Sequence, residues 1–201
     1  MIALLHHGFS RFLQDPVAAL EEMRDAVPGT PVAASALLAA TLVTVLLDFL
    51  YGPWAYPHSV IEGGKRADGA LIGAAVDVAR IYASAAIVWL GCRWLLKLDI
   101  SGTLAMWMTV PFTIALLLFE VAQFAIVLLF RLTGLDLYGP TFLIGYCGAL
   151  LVLIASVRVL NEKGDWLSAL PVGFAAAVLG HYLPPIVLPV AAGYLIVRRS
   201  T

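Results

Sequence analysis

Long apolar runs separated by short polar breaks dominate the pattern of this chain. Five runs reach about 20 residues or more, the length that an α-helix needs to cross the hydrocarbon core of a bilayer. They lie at about residues 31–50, 69–96, 103–130, 138–160 and 170–197. The breaks carry Gly, Pro, Asn and charged residues, which favour turns. The pattern predicts an all-α, polytopic membrane helix bundle, with five transmembrane helices in one domain, residues 31–201.

An amphipathic stretch precedes the first apolar run, within residues 1–30. Its apolar residues recur near the helical period; they are Phe9, Phe12, Leu13, Leu20, Met23 and Val27. Asp15 followed by Pro16 is typical of an N-cap and a first-turn proline, and Pro28 ends the helix. Because the stretch is too short and too charged to span, we expect an N-terminal helix that lies in the membrane interface. A short solvated helix packed on the loops is the alternative.

Composition supports the membrane class and limits the partners. Hydrophobic residues make up 62% of the chain and charged residues only 12%, against roughly 25% charged residues in a soluble domain. A formal net charge of −1 gives no basic surface for nucleic acid. We therefore expect the lipid bilayer as the main partner, with a second copy of the chain or another membrane protein as a further one. Lysine and arginine divide almost evenly between the two sides, so charge leaves the orientation open.

A few polar residues fall inside the predicted spans, where a charge costs at least about 2.5 kcal/mol. They are Asp48, Asp77, Arg80, Glu120, Gln123 and His181. A rise of about 1.5 Å per residue places His181 near the middle of the fifth span and the others in one half of the bilayer. Asp77 is the expected local partner of Arg80, with Asp48 and Glu120 as cross-helix candidates. The set forms either an internal network that fixes helix packing or a proton-accessible path.

The fifth span also carries three prolines, Pro184, Pro185 and Pro189. Proline removes a backbone donor and clashes with the preceding turn, so the helix is predicted to be kinked or broken there. A kink used for packing and a ligand site at a broken helix both fit this pattern.

Motifs for catalysis do not occur in the sequence: it has no HExxH, GxSxG, Walker loop or CxxC pattern. No histidine besides His181 lies in a predicted span, which excludes a bis-histidine haem. We expect a non-enzymatic protein without a cofactor or a metal. Small residues four apart, Gly145 with Ala149 and Gly173 with Ala177, predict close helix packing.

Short motifs spread over most of the chain resemble the Yip1-domain family of five-span membrane proteins. Phe12 to Pro16 resembles the "F..DP" start of bacterial members. Two segments resemble the third span of the family, Gly102–Ala105 and Thr109–Phe112. Gly145-Tyr146 resembles the "GY" of its fourth span, and Gly164 to Ser168 resembles the loop before its last span.

One motif departs from the family pattern. Asp136 to Pro140 spells the "DLYGP" of eukaryotic members, but it precedes the fourth span here and the first span there, so no role follows from it. The resemblance implies a bacterial inner-membrane protein with a cytoplasmic N-terminus, which scaffolds or organises membranes and partner proteins. The region before the first span is short, so we do not expect the GTPase binding of eukaryotic relatives.

Two other functions remain open from the sequence. A small transporter or ion-conducting protein would use Glu120, Arg80 and His181, and would need a water-accessible path to Glu120. An accessory subunit of a larger membrane complex would present a flat apolar face to its partners.

Overall fold

The computed structural model describes residues 14–55, 66–133, 138–162 and 165–200. Within these ranges the chain forms six α-helices and no strand: α1 (Pro16–Asp25), α2 (Thr30–Ala55), α3 (Arg66–Trp94), α4 (Gly102–Thr133), α5 (Tyr138–Leu160) and α6 (Trp166–Ser200). Phe9, Phe12 and Leu13 of the predicted amphipathic stretch lie outside the described residues. The all-helical fold class is confirmed.

Four of the described helices are long and apolar enough to cross a membrane. The crossing segments are Ala75–Trp94, Gly102–Phe119, Leu143–Leu160 and Trp166–Val187. In α2 the apolar segment covered by described side chains is shorter, Thr30–Val43. The chain is therefore an integral membrane protein with four candidate spans, and the fifth span remains a prediction.

The outer surface of the bundle is apolar, as a surface in contact with lipid must be. Leu143, Ile144, Leu167 and Ile186 are 65%, 69%, 80% and 64% exposed. Water would disfavour so many large exposed apolar side chains, whereas hydrocarbon accommodates them. Because lipid cannot hydrogen-bond to the backbone, the helical form of the spans follows from the same solvent.

The five long helices pack in a ring in the order α2, α4, α5, α6, α3. The contact between α3 and α2 closes the ring, and α3 also packs on α4. The most extensive contact joins α3 to α6. The turn between α3 and α4 contains Lys97, whose φ of 57° is left-handed. There the Leu98 amide donates to the Cys92 carbonyl six residues earlier at 3.0 Å, which ends α3.

Small residues allow the helices of the ring to approach closely. A Cβ at Gly173 of α6 would lie 2.9 Å from the Cα of Ile154 in α5, and one at Gly145 of α5 would overlap the ring of Phe119 in α4. Ala149 and Ala177, four residues after these two glycines, are buried. The two small-residue pairs therefore form packing faces within one chain, as their spacing predicted.

Buried hydroxyl groups are satisfied inside their own helices. Thr41, Thr109 and Ser156 each donate to the carbonyl four residues earlier, at 2.8, 2.8 and 3.0 Å. This bond removes the cost of an unpaired hydroxyl in an apolar environment without requiring water.

The short helix α1 is docked on α4 and α5. Asp15 is its N-cap, because Oδ1 accepts from the Ala18 amide at 3.0 Å, and Pro16 follows in the first turn. Leu20 is fully buried. The helix therefore rests on other helices of the bundle, and contact with lipid headgroups remains a prediction.

Two side chains attach α1 to the bundle. Each donates to a backbone carbonyl in the last turn of a helix, where carbonyls have no amide partner within the helix. Trp107 Nε1 donates to the Met23 carbonyl at 2.9 Å, and Arg24 Nη1 donates to the Val159 carbonyl at 3.2 Å. These bonds join the end of α1 to α4 and α5.

Replacing Leu20 by Ala is expected to release α1, because losing a buried leucine side chain costs about 2–5 kcal/mol. Hydrogen–deuterium exchange in lipid nanodiscs would show faster exchange of the α1 amides. Glu21→Ala, which changes an exposed neighbour, is the control and should leave the exchange unchanged. Equal protection in the native chain and Leu20→Ala would mean that the membrane, and not the bundle, holds α1.

Candidate functional site

An ion pair occupies one face of α3. Arg80 Nη1 lies 2.7 Å from Asp77 Oδ1, one helical turn away. The two side chains are 30% and 31% exposed. This is the local pairing that the i,i+3 spacing predicted, and it has the short distance of a charge-assisted hydrogen bond.

Arg80 also reaches across to α6. Its Nε donates to the backbone carbonyl of His181 at 3.1 Å. In an α-helix that carbonyl normally accepts from the amide four residues later, but residue 185 is a proline and has no amide hydrogen. The guanidinium therefore supplies a donor to a carbonyl that its own helix leaves without one.

Next to this contact, α3 and α6 approach each other closely at Ser84 and Gly180. The Ser84 Oγ lies 3.0 Å from the carbonyl oxygens of both Arg80 and Ala176, and its single hydrogen serves one of them at a time. A Cβ at Gly180 would overlap Ser84 Oγ and lie 3.0 Å from Ser84 Cα. Only glycine fits this position at the present spacing of the two helices.

Two tyrosines and a histidine complete the group. The His181 ring packs edge-on against Tyr182 with 4.9 Å between the ring centroids. Tyr146 of α5 lies within electrostatic range of Arg80 and Tyr182. We call Asp77, Arg80, Tyr146, His181 and Tyr182 the charge-pair cluster; it lies where α3, α5 and α6 meet.

The structure brings three of the six predicted polar residues together: Asp77, Arg80 and His181. His181 contributes its backbone carbonyl to Arg80, a role that the sequence interpretation did not foresee. The other three are Asp48 in α2 and Glu120 and Gln123 in α4, and their side chains lie outside the described part of the chain. Whether they join the charge-pair cluster stays a prediction.

The three predicted prolines lie within α6. The helix runs without interruption from Trp166 to Ser200, through Pro184, Pro185 and Pro189. The helix is therefore continuous at the three prolines, and the predicted kink stays a prediction. Pro184 is buried and Pro185 half-buried, and the Pro189 side chain lies outside the described residues.

Sequence reasoning missed two features of this site. Neither Ser84 nor Gly180 was singled out. A signal for the bond from Arg80 does exist, because a proline four residues after His181 frees a carbonyl inside a membrane span. The chain alone does not show which donor from another helix reaches it.

The contacts of the charge-pair cluster favour a structural role over a catalytic one. The opposite charges of Asp77 and Arg80 face each other, and a second described contact of Arg80 goes to the backbone of α6. Among the described residues, no group of three or more His, Cys, Asp or Glu side chains could hold a metal ion. The arrangement can tie α3 to α6.

Comparison of the chain with protein-family models, with curated proteins and with solved structures gives no match. The Yip1-domain resemblance therefore rests on the sequence motifs alone, and a functional interpretation rests on the geometry of the bundle.

Replacing Gly180 by Ala is expected to destabilise the bundle by about 1–3 kcal/mol, because the new methyl group must push α3 and α6 apart. Gly148→Ala is the matched control, since a Cβ there meets no atom within 4 Å. Thermal unfolding in nanodiscs compares the two variants. Adding Ser84→Gly to Gly180→Ala should restore part of the lost stability. Equal unfolding temperatures for Gly180→Ala and Gly148→Ala would show that the close approach of Ser84 and Gly180 does not limit stability.

Proposed function

We propose that the protein is a non-enzymatic, Yip1-like integral membrane protein, which scaffolds or organises the membrane and partner proteins. The observation that carries this proposal is the pair of contacts that Arg80 makes. Its Nη1 binds Asp77 and its Nε binds the backbone of α6, so the charged group serves to join helices. This supports the interpretation of the intramembrane polar residues as a packing network.

The energetics support the same interpretation. Arginine keeps its proton in proteins, so it stays charged and must have acceptors wherever it lies in a span. Removing one partner of a half-buried ion pair in a span leaves the other charge without its counter-ion, which destabilises the bundle. Asp77 and Arg80 thus depend on each other, and the pair fixes the face that α3 presents to α6.

We propose five spans with the N-terminus in the cytoplasm of a bacterial cell. Helix α2 has 26 residues, about 39 Å at about 1.5 Å per residue, which exceeds the about 30 Å of the hydrocarbon core. At the end of the bundle near α1, the exposed Trp94 and Trp166 are 66% and 42% accessible. Tryptophan concentrates at membrane interfaces, which supports an interfacial position for α1.

A transporter is the second candidate, and two observations favour it. The Asp77 and Arg80 side chains keep about a third of their surface accessible, and Pro184 leaves the Gly180 carbonyl without its helical amide partner. Carbonyls of this kind coordinate cations in some transporters. An accessory subunit would instead use the exposed apolar faces of α5 and α6.

Reconstitution in liposomes separates scaffold from transporter. For the scaffold we expect proton and cation flux equal to that of protein-free liposomes, with no change in Asp77→Asn. The transporter proposal would replace the scaffold proposal if the native protein gave flux above that background. In that case Asp77→Asn should abolish the flux and Glu21→Ala should retain it. Mass spectrometry of gently purified protein then distinguishes a variable set of membrane partners, expected for a scaffold, from a complex of fixed stoichiometry, expected for an accessory subunit.

Tags at the two ends test the proposed topology. In inverted inner-membrane vesicles, protease should remove an N-terminal tag and leave a C-terminal tag intact, because an odd number of spans puts the ends on opposite sides. Vesicles opened with detergent provide the control for tag accessibility. Removal of both tags from one side would leave four spans and exclude the five-span bundle.

A further inference from the structure

We propose that the charge-pair cluster binds the headgroup of a zwitterionic phospholipid with a primary ammonium group, phosphatidylethanolamine, in the leaflet opposite α1. Arg80 binds the lipid phosphate, and Asp77 binds the ammonium group. This lipid site goes beyond the scaffold proposal and does not rest on it, because a scaffold, a transporter and an accessory subunit all lie in the same bilayer.

Two helices independently give the depth of the cluster in the membrane. In α3, Arg80 lies 14 residues before Trp94, which is at the α1 end of the bundle. In α6, His181 lies 15 residues after Trp166, which is at the same end. Both separations correspond to about 21–23 Å along a helix, against about 30 Å for the whole hydrocarbon core. The cluster therefore lies about 7–9 Å inside the opposite boundary of the core.

Arg80 points towards that boundary and has unused donors. It binds Asp77, which is one turn nearer to the boundary, and both side chains keep about a third of their surface accessible. A guanidinium has five N–H groups, and Arg80 donates one from Nε and one from Nη1. The other three have no acceptor among the described residues. Arginine side chains extend from a span to the interface, where lipid phosphates supply acceptors that match a guanidinium.

Asp77 selects the class of headgroup. Its Oδ1 accepts from Arg80, and no described group donates a hydrogen bond to its Oδ2. An anionic headgroup would bring a second negative charge beside this carboxylate without a cation to balance it. The ammonium of a zwitterionic headgroup balances it, and a primary ammonium also donates a charge-assisted hydrogen bond, which a quaternary choline group cannot do. The opposite charges of Asp77 and Arg80 thus match the opposite charges of phosphatidylethanolamine.

Tyrosines from two other helices lie at the same position. Tyr182 of α6 is 62% exposed, and its hydroxyl has no hydrogen-bond partner among the described residues. Tyr146 of α5 lies within electrostatic range of Arg80 and Tyr182. Tyrosine is enriched at membrane interfaces, where its ring contacts apolar groups and its hydroxyl binds polar ones. The Tyr182 hydroxyl is therefore a further donor for the lipid phosphate.

Native mass spectrometry of delipidated protein in detergent measures the lipid preference. The protein is titrated with phosphatidylethanolamine, phosphatidylcholine and phosphatidylglycerol that carry identical acyl chains. We expect phosphatidylethanolamine to bind about tenfold more tightly than either other lipid, which is the effect of one charge-assisted hydrogen bond. Asp77→Asn should remove this preference and favour the anionic phosphatidylglycerol, because Arg80 then lacks its counter-ion. Tyr182→Phe should weaken the binding of all three lipids alike, because it removes a donor to the phosphate that they share.

The matched control is Arg93→Met, which removes an exposed cation from the other end of α3 and should leave the preference unchanged. Asp77→Asn with Arg80→Met has no unpaired charge, so it keeps the test valid if a single variant folds poorly, and it should bind the three lipids equally.

Three results would overturn the lipid site. The first is equal affinity of the native protein for the three lipids, or tighter binding of phosphatidylglycerol. The second is a preference for phosphatidylethanolamine that survives in the double variant or disappears in Arg93→Met. The third is displacement of the bound lipid by an equal concentration of soluble phosphoethanolamine, which would identify a soluble ligand instead of a lipid.

Discussion

A backbone carbonyl inside a membrane has no water to bind, and this constraint explains the most informative contact of the bundle. Proline at position 185 removes the donor for the His181 carbonyl, and Arg80 provides one from another helix. The charge that this donor brings into the span is balanced by Asp77. One proline thus accounts for a charged side chain, its counter-ion and a link between α3 and α6.

Most of the other long-range polar contacts among the described residues also run from a side-chain donor to a backbone carbonyl. Tyr82 binds Ala34 of α2 at 2.8 Å, and Trp89 binds Ile100 in the turn after α3 at 3.1 Å. Trp107 and Arg24 cap carbonyls at the ends of α1 and α5. Tryptophan and tyrosine suit this role, because a large apolar ring packs among the helices while one polar group finds its acceptor.

Local patterns in the sequence predicted much of the fold, and contacts between distant segments were not predictable in the same way. The apolar runs gave the helices, Asp15 gave the N-cap of α1, and the i,i+3 spacing gave the Asp77–Arg80 pair. The Ser84–Gly180 approach and the Arg80 bond to α6 depend on how α3 and α6 align, which one sequence does not specify. The prolines predicted a kinked or broken helix; α6 is continuous through them, and the kink stays a prediction.

The part of α6 that precedes the prolines is stabilised by two different physical means. Before the prolines, small residues such as Gly173 and Gly180 let whole helix backbones pack together, and the attraction is spread over many weak contacts. At His181, three residues before the first of these prolines, the connection to α3 is one hydrogen bond from a charged side chain. A connection made by many small contacts tolerates the loss of any one of them, whereas one hydrogen bond is either made or broken. A carbonyl freed by Pro185 needs a donor inside the apolar span, so the proline and Arg80 are best understood together, as the residue that frees an acceptor and the residue that satisfies it.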